Sequence, residues 1–213
     1  MSIAERLRAV RDGLPPGVGL VAVSKTHPVS AIQEAYDAGQ RDFGESYAQE
    51  LRDKAPLLPA DIRWHFIGAL QKNKLKYVAP WAYRVHGLTE VDQAVGLVKR
   101  APGPVHGMVN VNVGDEGSKV GVPEVAVPDL LDRLAEVEGF VLCGLMCIPP
   151  FTEDPADAEP WFARLAALAA RERARGHALP ELSMGMSHDW EHAIRHGTRW
   201  VRVGTAIFGP REG

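Results

Sequence analysis

Eight short runs of mostly apolar residues recur along the chain, and most of them are continuous rather than strictly alternating. They are rich in Val, Ile and Phe, as are parallel strands that are buried on both faces. The runs span residues 19–25, 41–45, 64–68, 83–88, 106–113, 140–148, 181–185 and 200–209. The pattern therefore predicts eight strands of a parallel sheet.

Segments with apolar residues at helical spacing separate these runs. They span residues 29–39, 88–101, 127–139, 157–176 and 187–197, and residues 1–14 read as a further amphipathic helix. The alternation and the short connections predict an α/β fold, a single (β/α)₈ TIM barrel over residues 1–213 with an extra N-terminal helix. An open doubly wound sheet is the alternative, but no G-x-G-x-x-G fingerprint follows the first strand.

Composition excludes several classes of protein. The 213 residues are 46% hydrophobic and 24% charged, and a net charge of −3 argues against a general nucleic-acid binder. The N-terminus lacks the apolar core of a signal peptide, and no stretch approaches the ~18 apolar residues of a membrane span. Cys143 and Cys147 give no disulfide framework, and their spacing predicts two buried side chains on one face of a strand. We therefore expect a cytoplasmic protein, monomeric by default.

Two turns near the C-terminus give the strongest generic signal for a ligand. In a (β/α)₈ barrel the site lies at the carboxyl ends of the strands, and the loops after strands seven and eight often bind phosphate. Here MGMS leads from a strand into a helix with Ser187 as the expected N-cap, and Gly204 and Thr205 close the eighth strand. Backbone N–H groups at such turns can bind an anion. The alternative is that Ser187 only caps a helix and Gly204 only turns the chain.

Lys25 ends the first strand, in AVSKTHP. A solvated lysine is the common outcome there, but partial desolvation at a barrel mouth would lower its pKa and leave a free amine that can form a Schiff base. An amine beside a phosphate site indicates a phosphorylated carbonyl compound: pyridoxal phosphate (PLP) as cofactor, or the sugar phosphate of a lysine-dependent aldolase. Arg202 lies on the same side of its strand as Gly204, where it could keep a pyridine nitrogen unprotonated. A salt bridge in the mouth is the alternative for Arg202.

Three other clusters have weaker claims. His188, His192 and His196 recur every four residues, but an aspartate stands where a helical zinc motif has its glutamate, and no metal site is predicted. The basic run QKNKLK, residues 71–76, reads as a solvated helix start, with a contact to phosphate or RNA as the alternative. Lys119 in DEGSK could bring a second amine to the mouth, although a solvated loop lysine is the simpler interpretation.

Seven segments, in order from about residue 20 to residue 210, resemble the pyridoxal phosphate homeostasis proteins. They are AVSKTHP, FGESYAQE, WHFIGALQKNK, VNVGDEGSKVGV, GLMCIPP, LSMGMSHDWEHAI and VRVGTAIFG. The resemblance implies a barrel similar to the N-terminal domain of bacterial alanine racemase, with PLP bound to Lys25 as a Schiff base. It implies that Arg202 faces the pyridine nitrogen. It also implies phosphate contacts, largely through backbone N–H groups, from Met186, Ser187, Gly204 and Thr205.

The chain departs from that family at two positions. Ser46 stands where the family usually has Asn. The serine side chain reaches less far, so we expect its hydrogen bond to the cofactor edge to be shorter-reached or water-mediated. His27 stands where the family usually has a second lysine, as in SKTKP, which leaves no amine there for a shuttle role. Lys119 matches a lysine near the pocket in this family.

The resemblance also favours a carrier over an enzyme. Racemisation needs an acid/base group on each face of the substrate, and alanine racemase takes its second one from a β-domain for which 213 residues leave no room. Of the four tyrosines, only Tyr47 follows the mouth residue Ser46. We therefore expect a protein that stores, delivers or buffers PLP with little or no turnover, that meets PLP-dependent apoenzymes transiently and that has no assigned catalytic residue. The alternatives are a PLP-dependent amino-acid racemase and a binding module for phosphate ligands or RNA.

Overall fold

The computed structural model describes residues 1–114 and 121–210, and within these ranges eight parallel strands close into a barrel. The predicted fold class is therefore confirmed. Lys119 lies outside the described residues. No helix in the two described ranges combines the length and the apolar character that crossing a membrane would require.

The barrel strands follow one another around the ring in chain order. They are β1 Gly19–Val23, β2 Asp42–Glu45, β3 Arg63–Phe66, β4 Ala82–Leu88, β5 Val105–Asn112, β7 Phe140–Cys147, β8 Glu181–Met186 and β9 Trp200–Val203. A two-residue strand, β6 Val122–Pro123, pairs with the end of β5. Strand β9 pairs with both β8 and β1, which closes the ring. All carboxyl ends thus meet at one mouth.

Helices surround the strands. They are α1 Ile3–Asp12, α2 Val29–Asp37, α3 Ala48–Lys54, α4 Leu75–Val78, α5 Val91–Val98, α6 Val127–Ala135, α7 Glu159–Ala174, α8 Trp190–Arg195 and α9 Thr205–Phe208. Short 3-10 turns span Ala55–Leu57, Lys72–Lys74, Glu124–Ala126 and Pro155–Ala158. The extra N-terminal helix is confirmed as α1. Helix α3 was not predicted, because its seven residues carry too few apolar positions to show a helical pattern. The helix start predicted at residues 71–76 corresponds to the turn Lys72–Lys74 and the beginning of α4.

The last predicted strand is wrong in its second half. Strand β9 ends at Val203, and the apolar residues that continue the run form α9 instead. Gly204 separates the two elements, and Ile207 and Phe208 are buried as helical residues. The Arg6 side chain from α1 donates to the Ile207 carbonyl oxygen at 2.5 Å. The chain therefore presents the start of a short helix, rather than a strand, at the mouth.

The apolar core has two parts. A large outer layer lies between the strands and the helices, and a small cluster inside the barrel consists of Val21, Met108, Cys143, Met146 and Trp200. Both cysteines are free and buried, as predicted, but they do not share a face. Cys147 belongs to the outer layer, because the pairing of β5 with β7 shifts register between Gly107 and Met108. A four-residue spacing keeps one face only in a regular strand.

Candidate functional site

The mouth of the barrel holds a cavity of about 510 Å³. Its lining comes from β5, β7 and the segments after β1, β2 and β3, and includes Lys25, Ser46, Tyr47, Gln71, Asn110 and Met146. The volume lies in the range of small-molecule sites, about 300–1,000 Å³. Two predicted site residues, Lys25 and Ser46, thus face one space of suitable size for an aromatic ligand.

A second, much smaller cavity of about 20 Å³ also adjoins Lys25. It is lined by Lys25, His27, Gly204 and Thr205, together with Val23. Lys25 is half-buried and borders both spaces. The structure therefore brings the predicted amine and half of the predicted phosphate site together. His27 also lies here, stacked on the Phe208 ring with centroids 5.1 Å apart.

The turns after β8 and β9 supply donors suited to an anion. The Gly204 N–H donates to the Ser187 hydroxyl at 3.3 Å, which joins the two turns. Thr205 opens α9, and the first N–H groups of any helix have no acceptor within it. A Cβ on Gly204 would lie 3.3 Å from the Val23 carbonyl oxygen, so glycine keeps this space open. Backbone N–H groups and two hydroxyls fit a phosphate group.

Ser187 and Met186 differ from their predicted local roles. Ser187 is not an N-cap, because α8 begins later, after Asp189. The Asp189 side chain accepts the Met186 N–H at 2.6 Å, so that N–H is engaged inside the protein. Gly185, which precedes Met186, has φ +92°, and a Cβ there would lie 2.8 Å from Ala193. The turn is held by a glycine conformation and by a carboxylate rather than by a serine cap.

The backbone on either side of Lys25 is fixed. Ser24 is fully buried, and Thr26 has a φ of 67°, a left-handed conformation that costs a β-branched residue roughly 1–3 kcal/mol. The Thr26 N–H donates to Glu50 Oε2 at 2.8 Å, which stabilises the strained turn. These contacts hold the backbone that positions Lys25 at the mouth.

A buried ionic cluster lies behind this turn and consists of Glu45, Lys54 and Glu50. Lys54 Nζ lies 2.9 Å from Glu45 Oε1 and 2.6 Å from Glu50 Oε2, and it donates to the Ser24 carbonyl oxygen at 3.0 Å. Glu45 is fully buried, and its Oε2 atom has no hydrogen-bond partner among the described residues. Burial raises the pKa of Glu45 to about 7, although Lys54 and the Ser24 hydroxyl oppose the rise.

Arg202 lies beneath the mouth and is 3% exposed. Its guanidinium donates to the Ser183 hydroxyl at 2.6 Å and to the Cys147 carbonyl oxygen at 2.8 Å. Arg202 is not among the residues that line the large cavity, but Met146, the neighbour of its acceptor residue Cys147, is one of them. The alternative of a salt bridge is not what holds Arg202, since both of these acceptors are uncharged. Burial lowers the pKa of Arg202 from its ordinary high value.

Sequence reasoning missed the polar residues inside the barrel. His65, His86 and Ser183 are fully buried and hydrogen-bonded to one another or to Arg202. The sequence does contain a signal for these buried polar residues, because polar side chains interrupt the apolar strands in WHFIG, YRVHGL and ELSMG. It does not show which of them contact one another, because that depends on the register of the strands.

The other two candidate clusters are the three spaced histidines and the basic run at residues 71–76. Side chains in both are engaged by partners within the protein. Helix α8 contains only His192 of the three spaced histidines, and its Nδ1 lies 2.6 Å from Glu159 Oε1. In the described ranges, no group of three or more potential ligands is arranged for a metal ion. In the basic run, Lys72 Nζ lies 2.8 Å from Asp92 Oδ2, and Lys76 lies over the Tyr77 ring.

Comparison with known proteins agrees with this geometry. The family model of the alanine racemase N-terminal domain matches residues 1–212. The pyridoxal phosphate homeostasis protein of Pseudomonas aeruginosa is 41% identical, and the match covers 99% of this chain and 93% of that protein. The corresponding protein of Escherichia coli K12 is 40% identical over 99% of this chain and 97% of its own length.

Solved structures show the same fold. PipY of Synechococcus elongatus, with PLP bound, superimposes with a TM-score of 0.90 at 37% identity, covering 98% of this chain and 100% of PipY. Alanine racemase of Corynebacterium glutamicum superimposes with a TM-score of 0.76 at 14% identity, covering 96% of this chain and 59% of the racemase. At this low identity, the similarity to alanine racemase shows only that the two proteins share the barrel fold.

Proposed function

The chain belongs to the alanine racemase N-terminal domain family and to the pyridoxal phosphate homeostasis proteins, and on that premise we propose that it binds PLP as a Schiff base on Lys25 and serves PLP homeostasis. One observation carries the proposal: Lys25 borders both the 510 Å³ cavity and the small space at Gly204 and Thr205. PipY, whose structure contains PLP, supports it.

Each part of the mouth has a distinct task in this proposal. PLP supplies an aldehyde, and the Lys25 amine forms a C=N bond to its carbon while the aldehyde oxygen leaves as water. Ser187, Gly204 and Thr205 bind the phosphate through hydroxyls and backbone N–H groups, with the segment at Met186 beside them. Ser46 lies on the cavity wall, where its hydroxyl can contact the edge of the ring. Arg202 donates to the ring nitrogen and keeps it unprotonated, which weakens the ring as an electron sink.

We propose that the protein stores, delivers or buffers PLP with little or no turnover. Tyr47, which lines the cavity, is 51% exposed. A catalytic acid works best in a site that excludes water, and this mouth is open. An amino-acid racemase would exchange the substrate α-proton for deuterium in heavy water. We expect no exchange above the rate of free PLP, and rapid exchange would replace the carrier role with a racemase role.

The biological setting forms part of the same proposal. We place this single PLP-binding domain in the cytoplasm as a monomer that transfers PLP to PLP-dependent apoenzymes. The two free, buried cysteines are consistent with a reducing compartment.

The test of the proposal is the chemistry of Lys25. Wild-type protein incubated with PLP and dialysed should stay yellow, lose its visible absorbance on borohydride reduction and carry the label on the peptide that contains Lys25. The Lys25→Ala variant should lose the label completely, because no other amine lies at the junction of the two cavities among the described residues. Lys99→Ala, at an exposed lysine directly after α5, is the matched control. A wild-type protein that takes up no PLP would overturn the proposal.

A further inference from the structure

A continuous row of hydrogen bonds crosses the interior of the barrel from Arg202 to the opposite end. Arg202 Nη1 lies 2.6 Å from Ser183 Oγ, and Ser183 Oγ lies 2.9 Å from His86 Nδ1. His86 Nε2 lies 2.9 Å from His65 Nδ1, and His65 Nε2 lies 2.9 Å from Asp42 Oδ1. We call these five residues the lumen chain. It joins β9, β8, β4, β3 and β2.

The two ends of the lumen chain determine the direction of every hydrogen bond. A guanidinium can only donate, and an ionised carboxylate can only accept. Burial alone would raise the pKa of Asp42, but hydrogen bonds from Arg63 and His65 outweigh it and lower the pKa to about 2. Asp42 is therefore an acceptor at neutral pH. The far end is also anchored, because Arg63 makes two hydrogen bonds to the same carboxylate.

With neutral histidine rings, only one placement of the protons lets Arg202 donate at one end of the row and Asp42 accept at the other. His65 donates from Nε2 to Asp42, so its Nδ1 is bare and accepts from His86 Nε2. The Nδ1 atom of His86 is then bare and accepts the Ser183 hydroxyl proton, while Ser183 accepts from Arg202. The opposite tautomer of either ring would place two lone pairs or two protons face to face. Burial lowers the pKa of both histidines, which favours the neutral rings.

The lumen chain holds the guanidinium of Arg202 from below. Ser183 binds Nη1 and the Cys147 carbonyl oxygen binds Nη2, which fixes both the position and the plane of the group. These two bonds use two of its five N–H donors. A planar group fixed at both terminal nitrogens also has its plane and the directions of its three remaining N–H groups fixed. Arg202 is thereby oriented before any ligand enters the cavity.

We propose that Ser183, His86, His65 and Asp42 are positioning residues that act through Arg202 on the ring nitrogen of bound PLP. The proposal rests on the proposed function, because it assigns these residues a role toward that cofactor. Each hydrogen bond in the row polarises the next, so the charge of Asp42 strengthens the hold of Ser183 on Arg202. A residue on β2 at the far end of the barrel thus influences the ligand at the mouth.

The first part of the test examines the protein without PLP. Two-bond ¹H–¹⁵N spectra of ¹⁵N-histidine-labelled protein report the tautomer of each ring. We expect His65 and His86 to be neutral at pH 7 with the proton on Nε2 in both. A proton on Nδ1 of either ring, or a charged ring, would overturn the assigned direction and with it the proposal.

The second part uses ¹⁵N-labelled PLP, whose ring-nitrogen resonance reports its hydrogen bond directly. Ser183→Ala should shift this resonance and raise the dissociation constant for PLP about ten-fold, the cost of losing one hydrogen bond to a charged group. Ser183→Thr keeps the hydroxyl and should restore both values. Asp42→Asn should shift the resonance in the same direction, whereas Asp61→Asn, at an exposed aspartate paired with Arg41, should not.

The outcomes separate this inference from the proposed function. If wild-type protein forms the Schiff base on Lys25 but Ser183→Ala and Asp42→Asn leave the nitrogen resonance unchanged, the lumen chain is structural only. If affinity falls only in step with thermal stability and Ser183→Thr does not restore it, the inference is equally overturned. If wild-type protein binds no PLP, the proposed function fails first and the positioning role fails with it.

Discussion

Strand β2 carries a buried carboxylate at each end, and the two sides of the mouth depend on them. Asp42 ends the lumen chain under Arg202, whereas Glu45 lies behind Lys25 under α3. The pKa of Asp42 is lowered to about 2, and that of Glu45 is raised to about 7. Two carboxylates three residues apart on one strand therefore have opposite preferences for their protons.

The number of donors explains the difference. Asp42 receives two hydrogen bonds from Arg63 and one from His65, and its side chain keeps 12% exposure. Glu45 has no exposure and shares Lys54 with Glu50 and with the Ser24 carbonyl oxygen. A buried carboxylate with a full set of donors is stable when ionised, and one with a shared cation is only partly compensated. The Arg202 side thus has a fixed charge state, and the Lys25 side has an adjustable one.

Replacement of Lys54 should disrupt the Lys25 side most strongly. Lys54→Met leaves Glu45 and Glu50 without their cation, and removal of one partner of a buried pair costs about 3–5 kcal/mol of unfolding free energy. Urea unfolding at pH 8 measures the loss, which should shrink at pH 5, where Glu45 is protonated. Lys99→Met, at the exposed residue directly after α5, is the control and should change stability by less than about 0.5 kcal/mol. Equal losses of unfolding free energy in Lys54→Met and Lys99→Met would show that the buried ionic cluster does not contribute to stability.

The protonation of Glu45 should make stability fall as pH rises. Its folded pKa of about 7 lies above the ordinary value of 4.5, so the folded protein binds more protons than the unfolded chain between those values. The contribution is fully present below pH 4.5 and is lost as pH rises through about 7, a change of about 3 kcal/mol. Glu45→Gln should remove this slope from a series of urea unfolding curves. An identical slope in wild type and variant would assign the effect to other groups.

Asp42 should show the opposite sign at a lower pH. Its folded pKa of about 2 lies below the ordinary 3.8, so its contribution is present above pH 3.8 and is lost as pH falls through about 2. Asp42→Asn should therefore cost about 2 kcal/mol at pH 7. The difference in unfolding free energy between wild type and variant should decrease steadily below pH 4. A difference that stays constant down to pH 2 would contradict the role of the ionised carboxylate.

The sequence was sufficient for the barrel and for part of the mouth. Buried parallel strands are apolar throughout and alternate with helices, and Lys25, Gly204 and Thr205 follow strands directly, so their common location was predictable. The buried contacts that hold these residues in place could not be predicted. Glu45 meets Lys54 only through the short helix α3, and His65 meets His86 only through the register of β3 and β4, which shifts between Trp64 and His65. Such contacts depend on tertiary geometry that no local pattern encodes.

The single direction of the lumen chain has an electrical consequence. Every O–H and N–H group in the row points away from Arg202 and toward Asp42, so the bond dipoles add, as peptide dipoles do along a helix. The negative end of the sum faces the guanidinium and the positive end faces the carboxylate. The interior of the barrel thereby offsets part of the charge of Arg202 through oriented dipoles, while the ionised carboxylate that ends the row stays at the far end of the barrel.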